Sequence, residues 1–121
     1  MRPLLLALAL VALSAPAFAA DADKGKTLFQ RQCAVCHQVA QPRNGVGPHL
    51  QGVVGRAAAS VQGFSYSPAL KGAGLDWTPE QLDAYLANPT GKVPGTRMAV
   101  RVANESDRAD IVAFLQGSAA P

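Results

Sequence analysis

Five consecutive residues, Cys33-Ala34-Val35-Cys36-His37, carry the clearest chemistry in the chain. They spell C-x-x-C-H, the attachment pattern of c-type haem. Two thiols this close can add to the two vinyl groups of one porphyrin and form two thioether links. The histidine after the second cysteine is then held beside the iron, and imidazole suits iron as a proximal ligand. Three other readings compete. A redox dithiol expects a βαβ context, which the sequence lacks. A zinc centre needs about four protein ligands. With two Cys and two His in the chain, that set would have to include His49, without the usual H-x3-5-H spacing. A plain disulfide is the third alternative.

The N-terminus favours haem. Arg2 gives a positive start, Leu4 to Leu13 is an apolar run too short to span a bilayer, and Ala17-Phe18-Ala19 is an A-x-A cleavage site. Residues 1–20 are therefore expected to be a secretory signal cut near Ala19 or Ala20, with residues 21–121 as one domain. The alternative is an uncleaved membrane anchor, but no longer apolar run or stop-transfer flank follows. No other segment is apolar enough to enter a membrane, so a soluble protein without stable membrane insertion is expected. The short signal has a bacterial look and places the chain in the oxidising periplasm. The thiols must then be captured before they settle into a disulfide.

A trimmed chain of about a hundred residues has a modest core. Gly and Pro are frequent between residues 42 and 95, which limits apolar burial. A haem would supply the missing interior. The formal net charge of +3 says little about nucleic acid, since Arg2 leaves with the signal and two haem propionates would cancel most of the rest. Electrostatic steering must come from a local patch.

The elements that position the pentapeptide follow in order. Asp21-Ala22-Asp23 opens a first helix, with Asp23 as its expected cap, and Lys24 to Gln32 continues it. Gly25, Leu28, Phe29 and Gln32 share one face. Gly25 costs about 1 kcal/mol against Ala and would permit close approach of another helix. Val39 to Arg56 is broken by Pro42, Gly45, Gly47, Pro48, Gly52 and Gly55 and reads as an irregular loop. A backbone carbonyl within Gly47-Pro48-His49-Leu50 could accept the second N–H of His37 and fix its tautomer. His49 sits too near His37 in sequence to reach the opposite haem face easily, so it is read as solvent-facing.

Residues 57–74 are loop-like, with a short turn over Ser67 to Lys71. Thr78-Pro79-Glu80-Gln81 is a capping box with proline at the first helical position. Leu82, Tyr85 and Leu86 form the helix stripe, which must end before Asn88-Pro89. Thr90 to Val100 reads as loop. Its Met98 is the one methionine left after signal removal. A thioether is a soft, neutral iron ligand that raises the potential, so Met98 is expected to be the second axial ligand rather than a core gap-filler. A last helix is expected from Ser106 or Asp107 to Gln116, capped by Asn104 or Ser106 and stopped at Gly117. Ile111, Phe114 and Leu115 form its apolar face.

These motifs, in this order, resemble the class I c-type cytochromes, in particular the mitochondrial cytochrome c and bacterial cytochrome c2 branch. The resemblance runs from Gly25-Lys26-Thr27-Leu28-Phe29 through Gly47-Pro48-His49-Leu50, Gly55-Arg56, Gly63-Phe64-Ser65-Tyr66-Ser67, Trp77, Tyr85-Leu86-Ala87-Asn88-Pro89 and Pro94-Gly95-Thr96-Arg97-Met98 to Arg108–Leu115. It implies an all-α cytochrome c fold, about three main helices plus loops around one haem c held by Cys33 and Cys36. His37 and Met98 would ligate iron, and the Pro48 carbonyl would accept from His37. Arg56, Tyr66 and Trp77 would surround a buried propionate, Tyr85 would approach the Met98 sulfur, and Thr96 would lie near the haem edge. Gly25, Phe29 and Phe114 would form the crossing of first and last helices.

The chain departs from the family at two places. Arg97 stands where a lysine usually precedes the axial methionine. Thr90-Gly91 replaces a usual lysine pair, with Lys92 next. A thinner basic patch of Lys26, Lys92, Arg97 and Arg101 remains for docking. The implied function is a monomeric one-electron carrier, not an enzyme. Its redox partners would be a quinol-oxidising complex, an oxidase, a reaction centre or a dehydrogenase. The rival of a different class is a haem enzyme or gas sensor with an open distal site, and Met98 discriminates between them.

Overall fold

The computed structural model describes residues 7, 9–12 and 19–118. Most of the expected leader, and the last three residues of the tail, lie outside them. Among the described residues there are five helices and no strand. They are α1 (Ala22–Gln32), α2 (Pro68–Lys71), α3 (Pro79–Ala87), α4 (Pro89–Lys92) and α5 (Glu105–Gln116). None is long and apolar enough to cross a membrane.

The cap of α1 is Asp21, not Asp23. The Asp21 carboxylate accepts from the backbone N–H groups of Asp23 and Lys24 at 3.0 and 3.1 Å. Only the residue just outside the first turn has the extended backbone this needs, and Asp21 has φ −101° and ψ 104°. Asp23 lies inside the turn, where its charge still favours the helix N-terminus.

Helices α1 and α5 cross at the glycine that the sequence marks. A Cβ on Gly25 would collide with the carbonyl of Asp110, so hydrogen alone fits there. One turn on, Phe29 and Phe114 pack with ring centroids 5.3 Å apart, tilted by 52°. Ile111, at 1 % exposed, and Leu115 are buried with them, while Phe114 keeps partial exposure. Val112 is also buried on this face. Asn104, one of the two expected caps, caps α5 by accepting from Asp107 N–H at 3.0 Å, and the helix starts one or two residues earlier than predicted.

One half of the expected capping box of α3 forms; in place of the other, the Thr78 N–H donates to Asp76 O at 2.8 Å. Thr78 Oγ1 accepts from Gln81 N–H at 3.2 Å, and Pro79 occupies the first turn where no N–H is needed. Thr78→Ala should cost about 1 kcal/mol, read as a lower urea midpoint at unchanged slope. The stripe Leu82, Tyr85 and Leu86 is buried against a core that includes Trp77, Val102 and Ile111.

The expected loop after Asn88 contains a short helix instead. Asn88 has φ −159° and ψ 84°, which ends α3. The same side chain accepts from Gly91 N–H at 3.1 Å and so caps α4. Asn-Pro therefore both stops one helix and starts the next, a double use that the sequence reads only as a stop. Between α1 and α2 no helix forms, as the breakers predict. Residues 55–58 instead pair antiparallel with 75–77. Gly55 N–H donates to Trp77 O at 2.7 Å, Trp77 N–H to Arg56 O at 2.8 Å and Ala58 N–H to Leu75 O at 2.8 Å. This short pairing sets Arg56 and Trp77 in register.

Candidate functional site

The pentapeptide turns off the end of α1. Cys33 N–H donates to Phe29 O at 2.8 Å, and His37 N–H closes onto Cys33 O at 3.0 Å. Both thiols are free and half-buried. Burial pushes the Cys33 thiol up to about 11, and the neighbouring Cys36 adds to the effect. Among the described residues no group of three or more His, Cys, Asp or Glu is placed to hold a metal, so the zinc alternative does not assemble.

His37 is held from one side. Its Nδ1 lies 2.7 Å from the carbonyl oxygen of Pro48. A carbonyl only accepts, so Nδ1 carries the proton and Nε2 keeps its lone pair. Burial lowers the imidazole's affinity for a second proton, the Pro48 carbonyl partly offsets this, and Arg56 lowers it further. The ring is thus a neutral donor with one nitrogen available. Gly47 makes the approach possible: its N–H donates to Cys36 O at 2.8 Å, and a Cβ there would run into the His37 ring. The sequence points to this loop through Pro48, but the need for glycine at position 47 emerges only from the packing.

Arg56 is the second anchor. Its Nη1 donates to Gln51 O at 3.2 Å and its Nη2 to His49 O at 3.1 Å. Burial lowers its pKa, with Tyr66 acting the other way. Its Nε is buried with no partner. A half-buried guanidinium with a spare, fully buried N–H suits an anion such as a porphyrin carboxylate, because charge-assisted bonds are the strong ones. The hydroxyl of buried Tyr66 accepts from Val61 N–H at 3.1 Å, and its ring meets Phe64 edge-on at 4.9 Å. Buried Trp77 packs on Tyr85 at 5.0 Å.

The far loop is tied down at two points. The hydroxyls of Tyr85 and Thr96 lie 2.6 Å apart. Burial raises the Tyr85 pKa and the Thr96 bond partly offsets it. Arg97 Nη1 donates to Ser65 O at 3.0 Å, joining two segments 32 residues apart. Directly after these two ties comes Met98, half-buried against the core. Lys26, Lys92, Arg97 and Arg101 are all exposed. No side-chain pattern could have announced the carbonyls of Gln51, His49 and Ser65, since every residue has one.

His49 departs from the sequence reading. It is half-buried rather than solvent-facing, and its Nδ1 is shut off without a partner. Asn44 causes this by accepting from His49 N–H at 3.0 Å while its amide reaches Gln62 O at 3.2 Å, folding the loop inward. Burial lowers the His49 pKa, and Arg56 adds to it.

The donors present therefore fit a haem: two thiols at the end of α1, an imidazole with a free nitrogen, a partnerless buried guanidinium N–H and a thioether on a tethered loop. The family model for cytochrome c matches residues 22–119. Cytochrome c2 of Rhodomicrobium vannielii is 50 % identical over 105 residues, covering 84 % of this chain and 83 % of that one. A c-type cytochrome, cyt cy, of Rhodobacter capsulatus is 48 % identical over 96 residues, 78 % of this chain but 48 % of its own length. Cytochrome cH from Methylobacterium extorquens is similar in structure, with a TM-score of 0.76 and 40 % identity over 81 % of this chain and 99 % of that one. The chain belongs to the cytochrome c family. It has the cytochrome c fold and is a monohaem electron carrier, not an enzyme, with Cys33 and Cys36 as the covalent haem c pair.

Proposed function

We propose that this chain works in a bacterial periplasm once its leader, residues 1–20, is removed, with His37 and Met98 as the two axial ligands. The bound haem supplies one-electron chemistry, its iron alternating between ferrous and ferric. The chain's own residues do the rest. His37 offers Nε2 because Pro48 holds the proton on Nδ1. That is the observation on which the ligation reading chiefly rests. Met98 offers a neutral sulfur that favours the ferrous form and raises the potential. Arg56, with Trp77 paired to it through the backbone and Tyr66 acting on its charge, receives a propionate. Tyr85 and Thr96 brace the methionine loop.

With His37 and Met98 both holding the iron, no position on it would be left for a substrate. Electron exchange would then take place in a small and transient encounter with a redox protein such as a quinol-oxidising complex, an oxidase, a reaction centre or a dehydrogenase. The basic side chains of Lys26, Lys92 and Arg101 steer that encounter in a salt-sensitive way. Arg97 has a second duty through Ser65. Arg97→Gln should destabilise the fold by about 1 kcal/mol as well as thinning the patch, measured by urea unfolding.

The visible spectrum of matured protein tests the assignment. A low-spin haem that resists carbon monoxide when reduced is expected. Ready binding of carbon monoxide by the wild type would favour the open-site enzyme or sensor instead.

A further inference from the structure

The first residue of the folded region is held by a carboxylate that is itself largely buried. The backbone N–H of Asp21 donates to Asp110 Oδ1 at 2.8 Å. Asp110 is 5 % exposed and is the one buried acid among the described residues. Its other oxygen lies 3.7 Å from Nζ of Lys24, a largely exposed lysine that also reaches Asp107 at 3.5 Å. A buried carboxylate is costly unless closely paired, and a shared, solvent-exposed lysine pairs it weakly.

The position of this contact in the chain gives it meaning. Asp21 lies two residues past the A-x-A motif Ala17-Phe18-Ala19. Cutting after Ala19 satisfies the small-residue requirement at both positions of that motif. The cut converts the amide nitrogen of Ala20 into an α-ammonium, one residue from the nitrogen that Asp110 already holds. Ala20 also borders a groove between α3 and α5 that carries Glu80, Asp83 and Glu105. Asp83 is paired with Arg108 at 2.7 Å, whereas Glu80 and Glu105 form no ion pair among the described residues. The carboxylate of Asp21 is occupied in capping α1.

We propose that the α-ammonium created by trimming after Ala19 seats at the α1–α5 crossing beside Asp110, so that leader removal itself tightens the clasp between the first and last helices. This rests on the leader reading given above. The seated terminus is a cation next to a buried acid, with two further unpaired acids on the groove wall. An untrimmed chain has a neutral amide at the same place and cannot make the pair.

The sign of the pH effect follows. Pairing raises the amine's pKa in the folded state above its ordinary value of about 7.7–8.0. The added stability is then present below that value and is lost as pH rises through the raised one. The exported, haem-loaded protein tests this. Intact mass reads the trimming site, and the α-amine, labelled by reductive 13C-methylation, is titrated by NMR. The expected mass begins at Ala20, and the amine titrates about one unit high, a tenfold shift in its proton equilibrium. Asp110→Asn keeps an acceptor for the Asp21 N–H but removes the charge, and should return the amine to its ordinary value. A second variant carries one glycine inserted between Ala19 and Ala20. It leaves Asp110 untouched, and should be less stable than wild type near pH 7 and equal to it near pH 10. A trimmed terminus whose amine titrates normally and ignores Asp110→Asn overturns the inference alone. A mass that retains the leader overturns the leader reading and the inference together.

Discussion

Met98→Ala protein should bind carbon monoxide readily in the reduced state and show a high-spin ferric spectrum, while the wild type does neither. The sulfur is the one soft donor on the loop that Tyr85 and Arg97 tie down. Removing it opens one axial position and leaves His37 in place. The midpoint potential should fall by on the order of 0.1 V, within the ~0.8 V range that axial ligands span. The fold should survive, because Met98 is only half-buried and the surrounding apolar side chains stay packed. A variant that kept the wild-type low-spin spectrum would show that iron never relied on this sulfur. Optical spectra before and after carbon monoxide, with a redox titration, decide the matter.

Gly25→Ala should damage the fold badly for a change of one methyl group. Intrinsic preference points the other way, since alanine is better than glycine inside a helix by about 1 kcal/mol. Packing opposes it more strongly. The new methyl group would overlap the Asp110 carbonyl and lie 3.0 Å from the Ile111 nitrogen, both backbone atoms of α5 that cannot swing aside. Overpacking of this kind costs typically 1–3 kcal/mol and sometimes more. A net loss of about 2–3 kcal/mol is expected, which lowers the melting temperature by roughly 10–20 °C for a domain of this size. Thermal unfolding followed by circular dichroism measures it. An unchanged or raised melting temperature would mean that the two helices do not meet at Gly25.

These two residues illustrate how much of the molecule can be read from its residues. Gly25, Phe29 and the α5 stripe mark the helix crossing because close approach needs a glycine and burial needs a period. The C-x-x-C-H pentapeptide is legible because covalent attachment demands fixed spacing. Thr78-Pro79 announces its helix through a cap and a missing N–H. What stayed hidden depends on backbone groups or on tertiary context. Asn88 both stops and starts a helix, and nothing in Asn-Pro alone says so. Asp21 rather than Asp23 caps α1, a choice made by backbone dihedrals. The inward turn of His49 depends on Asn44, which the chain brings to it from five residues away. Arg97 reads as a surface charge until its bond to the Ser65 carbonyl is seen.

The α1–α5 crossing has a consequence for biosynthesis. Asp21 and Asp110, which meet there, are 89 residues apart. During synthesis α1 emerges early and waits, with its main packing surface uncovered, until nearly the whole polypeptide has followed. Cys33 and Cys36 emerge in that same interval, before the late-made helix can close around their neighbourhood. The architecture thus leaves both sulfurs in an open chain until the last helix has been made.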